Sequence, residues 1–452
     1  MSKTKPKSLE VALPIIHPQA AGLDIGATEI WACAPTDRAT LSVRSFGTFT
    51  PDLCGLADWL KRAGVQTVAM ESSGVYWIPV FEILEACGLE VYLVNARHIQ
   101  NGPGRKSDGQ DCQWIQRLHS HGLLRASFRP EAEMRALRAY LRHRTMLLEY
   151  RAAHIQHMQK ALQQMTVQLT QVLSDLPGVT GLEIIRAIVA GERDPVTLSR
   201  FRNSRCKSSS DDIAQALTGH YRAEHVFALR QALALYDFYS QQLQACDQQI
   251  EHQYSAIKPT VSDDRPPLPP DPKLNSHSKN APTFAVRQQL YRLTGVDLTV
   301  VDGLDDSRAQ TVLAEIGADM SKWPTVKHFC SWLGLAPHND ITGGKVVKSR
   351  TMPVHNRAAQ ALRMAAQSLN RSQSALGAFY RRMRPRLGGE QAVVATAHKL
   401  ARIIYYLLKH HVPYRPVTAE VYDQRQHDRD LKSLQRKASL LGYSLVQLQL
   451  QS

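Results

Sequence analysis

No stretch of this chain approaches eighteen apolar residues, so nothing in it reads as a membrane span. The basic segment Met1 to Lys7 leads into no apolar run long enough for a secretory signal. The seven cysteines stand singly, with no Cys-x-x-Cys and no Cys/His pairing at zinc-ligand spacing. That pattern supports neither a disulfide framework nor a structural zinc, and the thiols read as reduced. The expectation is a soluble, non-secreted, cytoplasmic protein with no membrane partner. Acids are also scarce: 40 Asp and Glu face 55 Lys and Arg, a formal charge of +15. The imbalance is local, because Ser321 to His410 holds fifteen Lys and Arg against two acids, Asp340 and Glu390. A basic segment that is also apolar enough to fold points to nucleic acid or another polyanion.

With 452 residues the chain should form two or three domains. The pattern predicts a flexible N-terminus over 1–19 and an α/β domain over 20–128. A helical coiled-coil region with an inserted Gly-turn module is expected over 129–258, and a Pro-rich linker over 259–284. A mainly helical C-terminal domain should follow over 285–414, then an amphipathic tail over 415–452. In the first domain Ala21 to Ala34 reads as two strands around a turn, and Val65 to Met70 and Glu90 to Asn95 as further strands. From Pro130 the chain turns to long helix. Leu141, Leu148, Ile155, Leu162, Leu169 and Leu176 recur every seven residues, with Met158, Met165 and Val172 three further on. That is the seam of a coiled coil, with Leu229, Tyr236, Leu243 and Ile250 as a returning arm. Such a pair either packs on itself or couples protomers. Leu176 to Leu182 and Val301 to Ser307 each read as a Gly turn opening an apolar helix, a shape that can offer backbone amides to a phosphate.

Within this basic chain four carboxylates are spaced like a divided metal site. Asp24 stands in Gly22-Leu23-Asp24-Ile25-Gly26, within the first strand, and Glu71 stands at the end of a later one. Asp108 and Asp111 are three apart at the start of a helix and face the same way. Four acids brought together are tolerable only with cations or protons. Two Mg²⁺ ions about 4 Å apart would neutralise them and polarise a phosphodiester. A second locus is Gly334-Leu335-Ala336-Pro337, followed by Thr342-Gly343-Gly344-Lys345 and Ser349-Arg350-Thr351. It lacks Walker spacing, which discounts nucleotide hydrolysis. Thr342 is placed to act as a nucleophile on phosphorus, or merely to cap the turn.

These residues resemble a known family. Gly22-Leu23-Asp24-Ile25-Gly26, Glu71-Ser72-Ser73-Gly74-Val75-Tyr76-Trp77, Lys106-Ser107-Asp108 with Asp111, and Gly334-Leu335-Ala336-Pro337 through Gly343-Gly344-Lys345 look like the DEDD insertion-sequence transposases, the IS110 family and its IS1111 subgroup. The resemblance implies a RuvC-like, RNase H-fold N-terminal domain, a coiled-coil region and a C-terminal transposase domain. It implies Asp24, Glu71, Asp108 and Asp111 as metal ligands and catalytic residues, with two Mg²⁺ per site. It further implies RNA-guided recombination, in which an element-encoded non-coding guide RNA, a bridge or seeker RNA, pairs with donor and target DNA. The implied assembly is a homo-oligomer, a dimer that becomes a tetramer in the synaptic complex, in a bacterial cytoplasm and on the nucleoid when active. The family's nucleophile is a serine; by spacing its place falls on Thr342, a departure that leaves Ser349 as the alternative. Lys345, Lys348, Arg350, Arg357, Arg381, Arg382, Arg384 and Arg386 are expected to hold nucleic-acid backbone. A Holliday-junction-type nuclease and an inactive RNA- and DNA-binding scaffold remain the other readings.

Overall fold

A computed structural model describes residues 13–37, 40–72, 74–95, 99, 108–261, 266–271, 279–352, 354 and 356–446. Ser73, Lys106 and Ser107 of the motifs above, the basic Met1 to Lys7 and the end of the tail lie outside them. The chain divides into two compact units, one ending at Arg129 and one beginning at Pro130.

The first unit runs β1 (Ala20–Ile25), β2 (Glu29–Asp37), β3 (Thr40–Gly47), α1 (Thr50–Arg62), β4 (Thr67–Glu71), α2 (Trp77–Ala86), β5 (Glu90–Val94) and α3 (Asp108–Ser120). Its sheet has the order β3-β2-β1-β4-β5, antiparallel from β3 to β1 and parallel from β1 to β5. Side chains alternate across a strand, so each inner strand serves two layers. Leu23, Val68 and Met70 join Leu56, Leu60 and Leu84 in the larger core. Ala69 and Val94 face the other way, onto Ile115 and Leu124. Residues 13–19, expected to be flexible, are tied down in part: the amides of Ile16 and His17 donate to the Ser120 carbonyl at 2.8 and 2.9 Å. A mixed five-stranded sheet with helices over it fits the RNase H-like domain expected here.

In the second unit α4 (Ala132–Gln164) is followed by the short helices α5 (Leu169–Val172), α6 (Val179–Ala190), α7 (Pro195–Ser199) and α8 (Ser210–Ala216), then by α9 (Ala223–Ala256). The two long helices run antiparallel. Gln253 Nε2 donates to the Glu133 carbonyl at 3.1 Å, and farther along the pair the Tyr150 and Tyr239 rings lie 5.5 Å apart. Between them Arg144, almost wholly enclosed, donates to both oxygens of Asp247. The returning arm therefore pairs with the outgoing one inside a single chain. The seven-residue series stops early: α4 ends at Gln164 and Thr166 takes φ 59°. Leu169 and Leu176 leave the seam and pack with Met158, Leu162, Ile184 and Ile188 in the core of the inserted module. A coiled coil carried through all six positions is not what forms.

Beyond it come α10 (Val286–Thr294), α11 (Asp306–Ile316), α12 (Val326–Trp332), the hairpin β6 (Pro337–Thr342) and β7 (Lys345–Thr351), α13 (Arg357–Ser368), α14 (Ala375–Leu387), α15 (Gly389–His410) and α16 (Ala419–Leu440). The described part of the Pro-rich segment is held against α10. Arg287 donates to the Pro269 carbonyl at 2.9 Å and the Tyr291 hydroxyl to the Pro266 carbonyl at 2.7 Å. Residues 262–265 and 272–278 of that segment lie outside the described residues.

Candidate active site

Gly22 and Asp24 lie on one face of β1, and Ala69 and Glu71 on the same face of β4, because the strands pair Leu23 with Met70 in parallel register. That face is covered by α3. The helix approaches so closely that a Cβ on Gly22 would stand 2.4 Å from the Cys112 carbonyl oxygen and 2.3 Å from the Gln116 amide nitrogen. Only glycine admits this approach, and the approach carries Asp108 and Asp111, in the first turn of α3, toward Asp24 and Glu71. Acids in a first helical turn also complement the helix dipole.

Asp24 feels the charge of the other three acids. The carboxyl of Asp24 is raised from 3.8 to about 6, first by burial, then by the negative charges of Asp108, Asp111 and Glu71, against the backbone amide of Ile25. Among the described residues no three His, Cys, Asp or Glu side chains converge closely enough to hold one ion as they stand. The donor set nonetheless fits a hard divalent cation: it is all carboxylate oxygen, and its mutual repulsion is what a cation relieves. Two thiols also meet beside it, since Cys33 lies opposite Gly22 in the β1–β2 ladder and hydrogen-bonds Cys112.

The second locus forms the β6–β7 hairpin in the other unit. Gly343 and Gly344 take φ 56° and 76°, the two positive values that a two-residue turn of the I′ kind requires. Thr342 pairs with Lys345 directly before that turn and is exposed. A bulge at Val347 shifts the register between Asp340 and Ile341. Cross-strand partners share a face, so Thr342, Lys345, Asp340, Lys348, His338 and Arg350 lie together on one side. Ser349 falls on the opposite side with Asn339, Ile341 and Val346, and its hydroxyl donates to Asn339 Oδ1 at 2.7 Å.

The remaining cations are of several kinds. Arg357 begins α13, where a positive charge opposes the helix dipole and gains by meeting an anion. Arg384 and Arg386 are exposed in the last turn of α14. Arg382 lies 4.0 Å from Asp430. Arg381 instead donates to the Asn370 and Ser372 carbonyls, which makes it a tie within the fold. At the second Gly turn, Asp305 caps α11 through the Arg308 amide and also binds the Arg308 guanidinium, so that helix end carries its own anion. Sequence reasoning did not single out Lys399, Arg402, Tyr406 and His410, although their spacing of three, four and four places them along one face of α15.

Two family models match the chain. Residues 21–167 match a transposase model of the IS110 DEDD type, and residues 297–381 match the transposase IS116/IS110/IS902 family. No curated protein matches it. The first match contains all four acids and the second contains the Gly-Gly hairpin. No helix among the described residues is long and apolar enough to cross a membrane. With a DEDD transposase domain of the IS110 type followed by a domain of the IS116/IS110/IS902 transposase family, this chain is an enzyme, a transposase acting on DNA.

Proposed function

We propose that the protein excises and inserts its element by cutting DNA strands and rejoining them through a covalent link to Thr342. Asp24, Glu71, Asp108 and Asp111 would hold the divalent cations, two Mg²⁺ per site. The observation that carries this reading is the close packing at Gly22, which sets the first turn of α3, with Asp108 and Asp111, over the sheet face that bears Asp24 and Glu71. When bound, such ions neutralise the acids and polarise the phosphodiester. Oxygen-only donors suit Mg²⁺ better than zinc or copper.

The protein's own residues do the rest. The Thr342 oxygen forms a bond to phosphorus while the bond to the displaced strand oxygen breaks. The threonyl proton passes to solvent, and the leaving oxygen takes a proton from solvent. Attack by another strand's hydroxyl reverses the step and frees Thr342. Lys345, Lys348 and Arg350 share its face of the hairpin and would steady the phosphates. What favours Thr342 over Ser349 is that Ser349 lies on the other face, bound to Asn339. The threonine methyl crowds in-line attack, and a misplacement of about 1 Å lowers a rate on the order of a hundredfold, so a slow enzyme is expected.

Choice of target would come from an element-encoded non-coding RNA, as in the IS1111 subgroup, which agrees with a sequence that offers backbone-binding cations and no base-reading motif. The working form would be a dimer that pairs into a tetramer on donor and target DNA, at the nucleoid. Plasmid recombination in cells supplying the element's flanking DNA tests the whole reading. Wild type should join donor to target, while Thr342→Ala and Asp24→Asn should not. Nicked DNA without rejoined junctions would make the protein a structure-selective nuclease. Recombination by both variants would overturn the assignment of the site.

A further inference from the structure

The second half of α15 presents Arg402, Tyr406 and His410 to a groove of about 1050 Å³. The turn at Pro324–Val326 and the segment from Val412 to Arg415 form its other walls. Its lining contains lysine, arginine, histidine, tyrosine and apolar side chains and no carboxylate. Tyr406 is 57% exposed and its ring lies 4.6 Å from that of His410. Arg402 and Arg415 are exposed as well. Two other lining groups are already engaged: Lys409 donates to the Pro324 carbonyl and the Tyr405 hydroxyl, and Tyr414 donates to Asp302.

At one end of the groove cations crowd together. Lys399 lies over the Phe379 and Tyr422 rings at 4.3 and 4.9 Å, with Arg429, Arg402 and Arg382 around it, of which Arg382 has Asp430 at 4.0 Å. Like charges gathered beside partly buried rings repel, and a bound anion is the partner that relieves them. An exposed aromatic ring set among such cations adds a second requirement, a ligand with a flat face to stack. A nucleic-acid strand has both, and an unpaired strand offers its base faces where a duplex hides them.

We infer that this groove holds an unpaired DNA strand, with phosphates on Arg402 and Arg415 and a base on the ring of Tyr406. DNA is the occupant argued for because the chain is a DNA transposase, and cutting and joining strands leaves unpaired ends. The inference rests on that family assignment and not on the metal ligands or on Thr342.

The test is fluorescence anisotropy with the purified full chain in EDTA, using a labelled DNA strand of about 12 nucleotides, its duplex, and an RNA of the same sequence. Tyr406→Ala should weaken strand binding about tenfold while duplex binding changes less than about twofold, and Tyr406→Phe should bind as wild type does. Arg402→Ala with Arg415→Ala should weaken the strand at least about tenfold and lower the salt slope by about 1.4, the share of two phosphates on a single strand. Equal loss on strand and duplex would reduce the groove to an unspecific basic patch and overturn the inference. So would no loss at all, or a Tyr406 dependence carried by RNA and not by DNA. Because metal is absent from the assay, a strand that binds as expected alongside failed recombination would refute the proposed chemistry and leave the groove standing.

Discussion

A methyl group at position 22 would meet two backbone atoms of α3 at under 2.5 Å, and neither can move without shifting the helix. Gly22→Ala should therefore destabilise the first unit by roughly 1–3 kcal/mol, the usual penalty of overpacking, and abolish cleavage by carrying Asp108 and Asp111 away from Asp24. Urea melts paired with a cleavage assay check both. Asp24 makes the opposite prediction for stability. Its carboxyl is held above the ordinary value, so the folded state keeps a proton that the unfolded state gives up, and stability is lost as pH rises from about 4 through about 6. Asp24→Asn removes that repulsion and should raise the metal-free melting temperature, by the equivalent of about 1–3 kcal/mol at neutral pH, while abolishing cleavage. An unchanged or lower melting point would show that the four acids do not strain one another. His119 pulls the other way. It is buried, bonded to the Thr67 hydroxyl at 2.9 Å, and lowered to about 4 by burial and then by the His17 charge. The unfolded state takes up that proton first, so its contribution, on the order of 3 kcal/mol, is complete above about 6.5 and fades as pH falls toward 4. Wild type partly hides this slope behind Asp24. The Asp24→Asn variant should therefore lose stability more steeply than wild type between pH 6.5 and 4.

Arg144 and Asp247 form the contact that fixes how α4 and α9 pair. Both are almost wholly enclosed, and Asp247 also accepts the Thr283 amide at 3.0 Å. Asp247→Ala strands a buried guanidinium and should destabilise the second unit by about 3–5 kcal/mol, whereas Arg144→Met with Asp247→Leu should recover most of it. Chemical denaturation of the single and double variants measures the difference. The sequence announces the two long helices but not the face they share, since α4 buries Leu137, Arg144 and Leu147 and leaves the expected Leu141 and Leu148 only half-buried. Nor does anything in Gln163-Gln164-Met165-Thr166 signal that Thr166 will take a left-handed conformation and turn the chain. Strands were legible where they are covered on both faces, as in β1 and β4, because their apolar runs are nearly unbroken. The outer strand β3, Thr-Leu-Ser-Val-Arg-Ser-Phe-Gly, mixes polar and apolar residues at the sheet's edge and is not among the strands expected from the sequence. Asp24 stood out because it interrupts an apolar strand, and Glu71 because it ends one. The α15 groove did not, because its cations come from a helix and from a loop that the sequence gives no reason to join.

At the scale of the molecule, the acids and the Thr342 hairpin belong to different folding units. The first has a core of its own, built on Leu23, Leu56, Leu60 and Met70. A fragment ending at Arg129 should melt cooperatively by circular dichroism and yet recombine nothing. A fragment that is unfolded, or one that recombines, would show that the units are not separable or that the hairpin is dispensable. This division also bears on how copies of the element affect one another in a genome. If a working site takes its acids from one polypeptide and its threonine from another, an Asp24→Asn protein and a Thr342→Ala protein, each dead alone, regain activity when expressed together. In the same cell a damaged copy would then enter the assembly and spoil sites built with intact partners. Ageing copies would then act as dominant inhibitors, and the element's mobility would decline as its defective descendants accumulate.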